Sequence, residues 1–149
     1  MYRVRPARAD DRDVIAQFNL AMALETEAIE LDPLTLNSGV RAVLEDPGKG
    51  FYLVCEHDGE AVGSLMITFE WSDWRNGNIW WLQSVYVDPA HRRKGVFSLL
   101  FNEVKERIQK AKDIAGARLY VDEHNASAIK TYLAKGMKLS NYKMLELMK

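Results

Sequence analysis

Apolar positions along the chain change their period several times, and each change predicts an element. Residues 2 to 5 predict a short opening strand. Val14, Ile15, Phe18, Ala21 and Met22 then recur at helical spacing, with Asp10 placed to cap that helix and Asp13 near the positive end of its dipole. The pattern runs to about Glu30, before Asp32-Pro33. A second helix carrying Val40, Val43 and Leu44 stops at Pro47-Gly48. Phe51 to Glu56 and Ala61 to Trp71 read as strands joined at Asp58-Gly59. Asn76-Gly77 has the chemistry of a two-residue hairpin turn and predicts an antiparallel return along Ile79 to Val87.

From Lys94 the helical period returns, with Val96, Leu99, Leu100, Val104, Ile108 and Ala111 on one face and charge on the other. Arg118 to Asp122 predicts a short strand, and Asn125 can cap a helix that carries Ala128, Ile129, Tyr132 and Leu133 and ends at Gly136. A final strand or strand pair is expected through Met148. No linker, repeat or low-complexity tract interrupts residues 1 to 149, so one α/β (α+β) domain with helices on both faces of a mixed sheet is expected. Trp80 and Trp81 are neighbours on a strand and must point to opposite faces, so at most one of them can line a pocket.

Composition narrows the class. With 48% hydrophobic residues in 149, the chain can build one sizeable core. Twenty Lys and Arg against 21 Asp and Glu leave a formal charge of -1, which supplies no global attraction to nucleic acid or an anionic membrane. Cys55 is the single cysteine, so no internal disulfide forms, and a reducing cytoplasm is the expected location. No apolar run approaches the roughly 18 residues of a membrane span. His57, His91 and His124 lack metal-ligand spacing, and no metal is expected.

The stretch YVDPAHRRKGVFSLL, residues 86 to 100, concentrates the candidate chemistry. A helix that starts directly after a strand presents backbone donors and a positive dipole end, which suit phosphate, and Arg92, Arg93 and Lys94 add side-chain charge. Gly95 in the first helical turn suggests close approach of a ligand to the backbone, since glycine there costs about 1 kcal/mol relative to alanine. The solvated-loop reading of this stretch carries comparable weight on these residues alone. Neither GxxxxGK followed by Ser or Thr nor GxGxxG occurs, which excludes the familiar nucleotide cradles. A nucleic-acid contact by Arg92, Arg93 and Lys94, with tryptophans stacking on bases, is opposed by the near-zero net charge.

The run LQSVYVDPAHRRKGVFSLL, followed by NASAIKTYLAKGM, resembles the two signature segments of the GCN5-related N-acetyltransferase family. Arg92 and Gly95 match the first signature, and Asn125, Ala128, Tyr132 and Gly136 match the second. The resemblance extends over the whole chain and implies a twisted, mostly antiparallel sheet of about six to seven strands with about four helices. It implies acetyl coenzyme A as co-substrate, with its pyrophosphate on Arg92, Arg93, Lys94, Gly95, Val96, Phe97 and Ser98, and its pantetheine along the backbone of Val85, Tyr86 and Val87. Asn125 and Tyr132 are further implied cofactor contacts. Phe97 departs from the family's Gly or Ala at the last motif position.

By the same resemblance, the Val85 amide is the oxyanion donor and Tyr132 the general acid. Trp81 stands where some members carry a catalytic Glu, so base candidates are Glu25, Glu27, Glu123, His124 or a water. Glu25, Glu27, Trp71, Trp74 and Trp81 are the acceptor-side candidates, suited to a cationic amine. A solvated helix face and core tryptophans are the plainer reading of that set. The expected acceptor is a primary amine on a small molecule or protein, and the resemblance allows a homodimer. Phe97 and the missing strand carboxylate motivate the alternative of an acyl-coenzyme-A-binding or sensor module without efficient catalysis.

Overall fold

A computed structural model describes residues 1–149, in two compact units, Met1–Leu119 and Tyr120–Lys149. The first unit begins with strand β1 (Tyr2–Pro6), a 3-10 turn at Ala9–Asp11, and helices α1 (Arg12–Glu27) and α2 (Pro33–Glu45). Strands β2 (Phe51–His57), β3 (Glu60–Ser72) and β4 (Gly77–Val87) follow, then a 3-10 turn at Pro89–His91, helix α3 (Val96–Lys110) and strand β5 (Ile114–Arg118). The second unit contains helix α4 (Ala126–Ala134).

The sheet order is β1-β2-β3-β4-β5. The first three pairings are antiparallel and β4–β5 is parallel, because α3 carries the chain back across the sheet between them. Alternating side chains give the sheet two apolar faces. On one, Tyr52 and Val54 pack with Ile15 and Ala16 of α1 and Val40 of α2. The Tyr52 phenol is pushed up to about 12 by that burial. On the other lies α3, so close that a Cβ on Gly63 would stand 3.0 Å from Val96 Cγ1. Leu53, Leu65, Ile67 and Leu100 are fully buried there, each contributing about 2 kcal/mol by removal from water. Trp80 is buried beside Phe51, ring centroids 5.2 Å apart, while Trp81 points to the opposite face and bonds Glu70.

The structure has five strands, not the six to seven expected. Residues 137–149 form no strand, and Leu139, Tyr142, Leu145 and Leu147 are exposed. A strand needs a ladder partner for its backbone groups, which local apolar pattern does not supply. The fifth strand lies at Ile114–Arg118 instead of Arg118 to Asp122, because its limits follow the rungs it makes with Asn78 to Trp81. Helix α1 ends at Glu27, short of Glu30, with Ala28 left-handed at φ 54°.

Asp10 caps nothing in α1. It lies in the 3-10 turn, and the neighbouring Asp11 accepts the Arg8 N–H at 2.6 Å. The hairpin after β3 is real but wider than a two-residue turn: Ser72 pairs with Gly77 across the four residues Asp73 to Asn76, with Asn76 left-handed at φ 48°. Gly77 is drawn into β4 because Asn78 N–H bonds the Asp113 carbonyl at 2.8 Å, and a Cβ on Gly77 would lie 3.0 Å from that same oxygen. The Asp58-Gly59 turn has both residues at positive φ, as a two-residue hairpin requires.

Candidate functional site

Strand β4 carries the site's main-chain features. Its ladder with β5 ends at the Trp81–Arg118 rung, while β4 runs on to Val87 with β3 as its one strand neighbour. Within that stretch the register with β3 slips: Ser64 pairs with Tyr86 and Met66 with Gln83, so Ser84 and Val85 stand opposite Leu65 alone. Ser84 is left-handed at φ 52°, a local strain that bends the strand beside Val85. A one-sided strand edge with a bulge fits an extended ligand bearing amide groups, which can pair as a further strand does.

The chain then turns through Asp88, whose side chain accepts the Ala90 N–H at 2.8 Å, into the basic loop. Arg93 and Gly95 both hold positive φ, 61° and 85°. Gly95 is the N-cap of α3, not a residue of its first turn, and a Cβ there would meet nothing within 4 Å. Its glycine identity therefore answers the left-handed backbone. The first internal bond of α3 runs from Leu99 N–H to the Gly95 carbonyl, 3.0 Å. Val96 is buried under the sheet, and the Phe97 ring lies 5.8 Å from that of Phe101, so the side chain at the atypical motif position packs along its own helix.

Arg92 is anchored from three sides. Its Nε donates to the Val87 carbonyl at 2.9 Å, its Nη2 donates to Glu25 Oε2 at 2.8 Å, and its guanidinium lies 5.3 Å from the Tyr86 ring centre. The Tyr86 hydroxyl donates to the other Glu25 oxygen at 2.9 Å, and its ring packs on Phe18. Arg92, and then Tyr86, hold the Glu25 carboxyl below the usual range. Glu25 is therefore brought to the basic loop as a counter-ion, with reduced proton affinity. Glu27 ends α1 and is exposed, and Trp71 and Trp74 lie exposed at the hairpin, 60% and 88%.

A second polar cluster occupies the sheet face that α1 and α2 partly cover. Trp81 Nε1 donates to Glu70 Oε1 at 2.8 Å, and Arg118 Nη1 donates to both Glu70 oxygens at 3.1 and 2.9 Å. The Trp81 bond first, and Arg118 with it, lower the Glu70 pKa against the opposing effect of burial. Beside them Gln83 bonds Thr68. Glu70, Gln83 and Arg118 are absent from the sequence-based candidates. The available signal was polar or amphipathic residues at period two, Thr68 and Glu70 in one strand and Trp81 and Gln83 in the next, inside otherwise apolar runs.

In the second unit, Asn125 caps α4 by accepting the Ala128 N–H at 3.1 Å, as the sequence implies. Tyr132 lies on α4 with its pKa raised by burial. Gly136 is left-handed at φ 96° and closes the helix by donating to the Leu133 carbonyl at 3.1 Å. Glu123 and His124 are exposed and 3.5 Å apart. In the whole structure no group of three or more His, Cys, Asp or Glu side chains is arranged to hold a metal, and no helix is long and apolar enough to cross a membrane.

A mixed sheet whose fourth strand parts from its parallel neighbour beside a basic, glycine-capped helix start defines an acyl-transferase architecture. The chain belongs to the acetyltransferase (GNAT) family, whose model matches residues 15–137. It is similar to the crystal structure of a possible acetyltransferase from Clostridium difficile 630, with 47% identity, a TM-score of 0.95, and coverage of 100% of this chain and 98% of that one. Two further solved structures share the fold. A GCN5-related N-acetyltransferase from Ralstonia eutropha JMP134 is 23% identical with a TM-score of 0.77, each chain covered to 99%. A ribosomal-protein-alanine N-acetyltransferase from Brucella melitensis biovar Abortus 2308 is 13% identical with a TM-score of 0.77, each chain covered to 100%. No curated protein sequence matches the chain.

Proposed function

We propose that the protein transfers an acetyl group from acetyl coenzyme A to a primary amine by direct attack on the thioester. The observation that carries this reading is the one-sided, bulged edge of β4 at Ser84 and Val85, which leads straight into the Arg92–Gly95 loop and the start of α3. An extended pantetheine has amides to pair with such an edge, and its diphosphate has the charge for the basic loop that follows. Gly95, with open space where a Cβ would be, fits close approach of a diphosphate to the main chain.

In this reading the amine nitrogen attacks the thioester carbon, the Val85 amide steadies the developing oxyanion, and the C–S bond breaks as the C–N bond is kept. The amine gives up one proton and the departing thiolate takes one. Tyr132 is assigned that second proton on the strength of its motif position, and burial keeps its phenol protonated near neutral pH. The base remains among Glu25, Glu27, Glu123, His124 and water, with Glu25 disfavoured by its pairing to Arg92.

The test is twofold. Calorimetry should detect binding of both coenzyme A and acetyl coenzyme A, and thiol release should depend on an added amine. Binding without release across amino acids, polyamines and peptide N-termini would favour the sensor alternative, and absence of binding would end both readings.

A further inference from the structure

Arg118 occupies the last rung of the β4–β5 ladder, opposite Trp81, at the point where β4 continues alone toward Val85. Its guanidinium is held through a single nitrogen: Nη1 donates to both oxygens of Glu70, and Glu70 is itself held by Trp81 Nε1. Three strands thus fix one side chain. The Nε and Nη2 donors have no acceptor within the protein. They lie on one edge of the planar group, in the spacing that a carboxylate accepts with both oxygens.

The cluster's charge is balanced, yet its spare hydrogen-bonding capacity lies mostly on the donor side. Glu70 already accepts three bonds, two on Oε1 and one on Oε2, which leaves it one acceptor site, whereas Arg118 still offers one N–H on Nε and two on Nη2. A ligand that completes the cluster is therefore chiefly an acceptor, with three N–H groups to meet against one open carboxylate site. Arg118 and Glu70 side chains are 37% and 39% exposed, open to a small molecule but partly shielded from water, so an ion contact here is worth more than on a free surface.

We infer that Arg118 is the specificity residue for the acceptor and that the acceptor is a small amine that also carries a carboxylate. This rests on the acetyl-transfer reading, which puts the amine near Val85. From Trp81 to Val85 is four residues of strand, about 13 Å, shortened by the bulge and by the reach of the arginine side chain. What remains suits a short spacer between amine and carboxylate. Gln83, one step along the same face from Trp81, lies between the two ends of such a molecule.

The experiment compares matched pairs with acetyl coenzyme A: glycine against glycinamide, and β-alanine against β-alaninamide. The carboxylate member should have a kcat/KM at least roughly tenfold higher, the size of one charge-assisted bidentate contact. Arg118→Gln should erase the difference by raising KM for the carboxylate member. Arg118→Lys should recover only part of it, since ammonium has no fork, and Glu70→Gln should weaken it by loosening Arg118. Unchanged coenzyme A affinity certifies that each variant is folded. Equal use of acid and amide, preference for an aminoalkyl phosphate over the carboxylate, or a preference that survives Arg118→Gln overturns the proposal.

A separate arm keeps the two readings apart. Binding of N-acetyl-β-alanine to the coenzyme-A-loaded protein, followed by NMR, should be lost in Arg118→Gln. Such binding without turnover of any amine would support the Arg118 site while removing acetyl transfer. Absence of binding together with absence of turnover would overturn both.

Discussion

Arg92 Nη2 donates to Glu25 Oε2 at 2.8 Å, tying the last turn of α1 to the basic loop that precedes α3. The two residues are 67 positions apart and no local pattern links them. The pair has opposite consequences for its members. Glu25 loses proton affinity, while Arg92 holds its proton more tightly and has its charge partly offset before any diphosphate arrives. Glu25→Gln should therefore tighten coenzyme A binding, because Val87 and Tyr86 still orient the guanidinium while a nearby negative charge is gone. A gain of about three- to tenfold, shrinking in high salt, is expected from charges at this range. Titration calorimetry at two salt concentrations checks it, and weaker binding in the variant would mean that Glu25 serves mainly to position Arg92.

Gly95 offers a cleaner backbone test. At φ 85° an alanine pays for left-handed geometry alone, since its Cβ would touch nothing within 4 Å. Gly95→Ala should lower stability by about 1 kcal/mol in urea unfolding. Coenzyme A affinity should fall severalfold as well if the loop grips the diphosphate through its main chain.

Asp11 anchors the entry to α1 and predicts an acid limb of stability. It receives Arg5 through two bonds of 2.8 and 3.0 Å, and the two side chains are 12% and 10% exposed. Burial alone would raise the carboxyl, but Arg5 and the Arg8 amide outweigh it and leave the pKa depressed. A depressed folded pKa gives stability that is complete above the unfolded value, about 3.9, and drains away as pH falls through the folded one. Asp11→Asn should cost about 2 to 3 kcal/mol at pH 7, and the gap to the unsubstituted protein should narrow below about pH 4. Chemical denaturation at a series of pH values measures both; a gap independent of pH would refute the assignment.

Tyr132→Phe removes the proposed proton donor, a single hydroxyl, and keeps the aromatic ring. Turnover should drop by about a hundredfold with coenzyme A affinity nearly unchanged. Steady-state kinetics beside calorimetry distinguishes this from a packing defect, which would depress both.

The helices α1 to α3, the meander β2–β4 and the Asn125 cap were legible because each is specified by neighbours in sequence: apolar period, a capping side chain, a turn pair. The same is true of the loop from Arg92 to Gly95, whose charge and glycine are local facts. Polar residues in apolar strands were harder to interpret. Thr68, Glu70, Trp81 and Gln83 form one row only after β3 and β4 are paired in their actual register.

What the chain alone determined, then, was which segments coil, which extend, and that residues 92 to 98 begin a helix in a basic loop after a strand. Only the folded arrangement decided that the sheet has five strands, that β4 bulges at Ser84 and Val85, and that Glu25 answers Arg92 while Glu70 answers Arg118. Periodicity and capping act over a few residues. Strand ends, bulges and ion pairs depend on which distant partner satisfies a backbone or a charge, and that is a property of the assembled sheet.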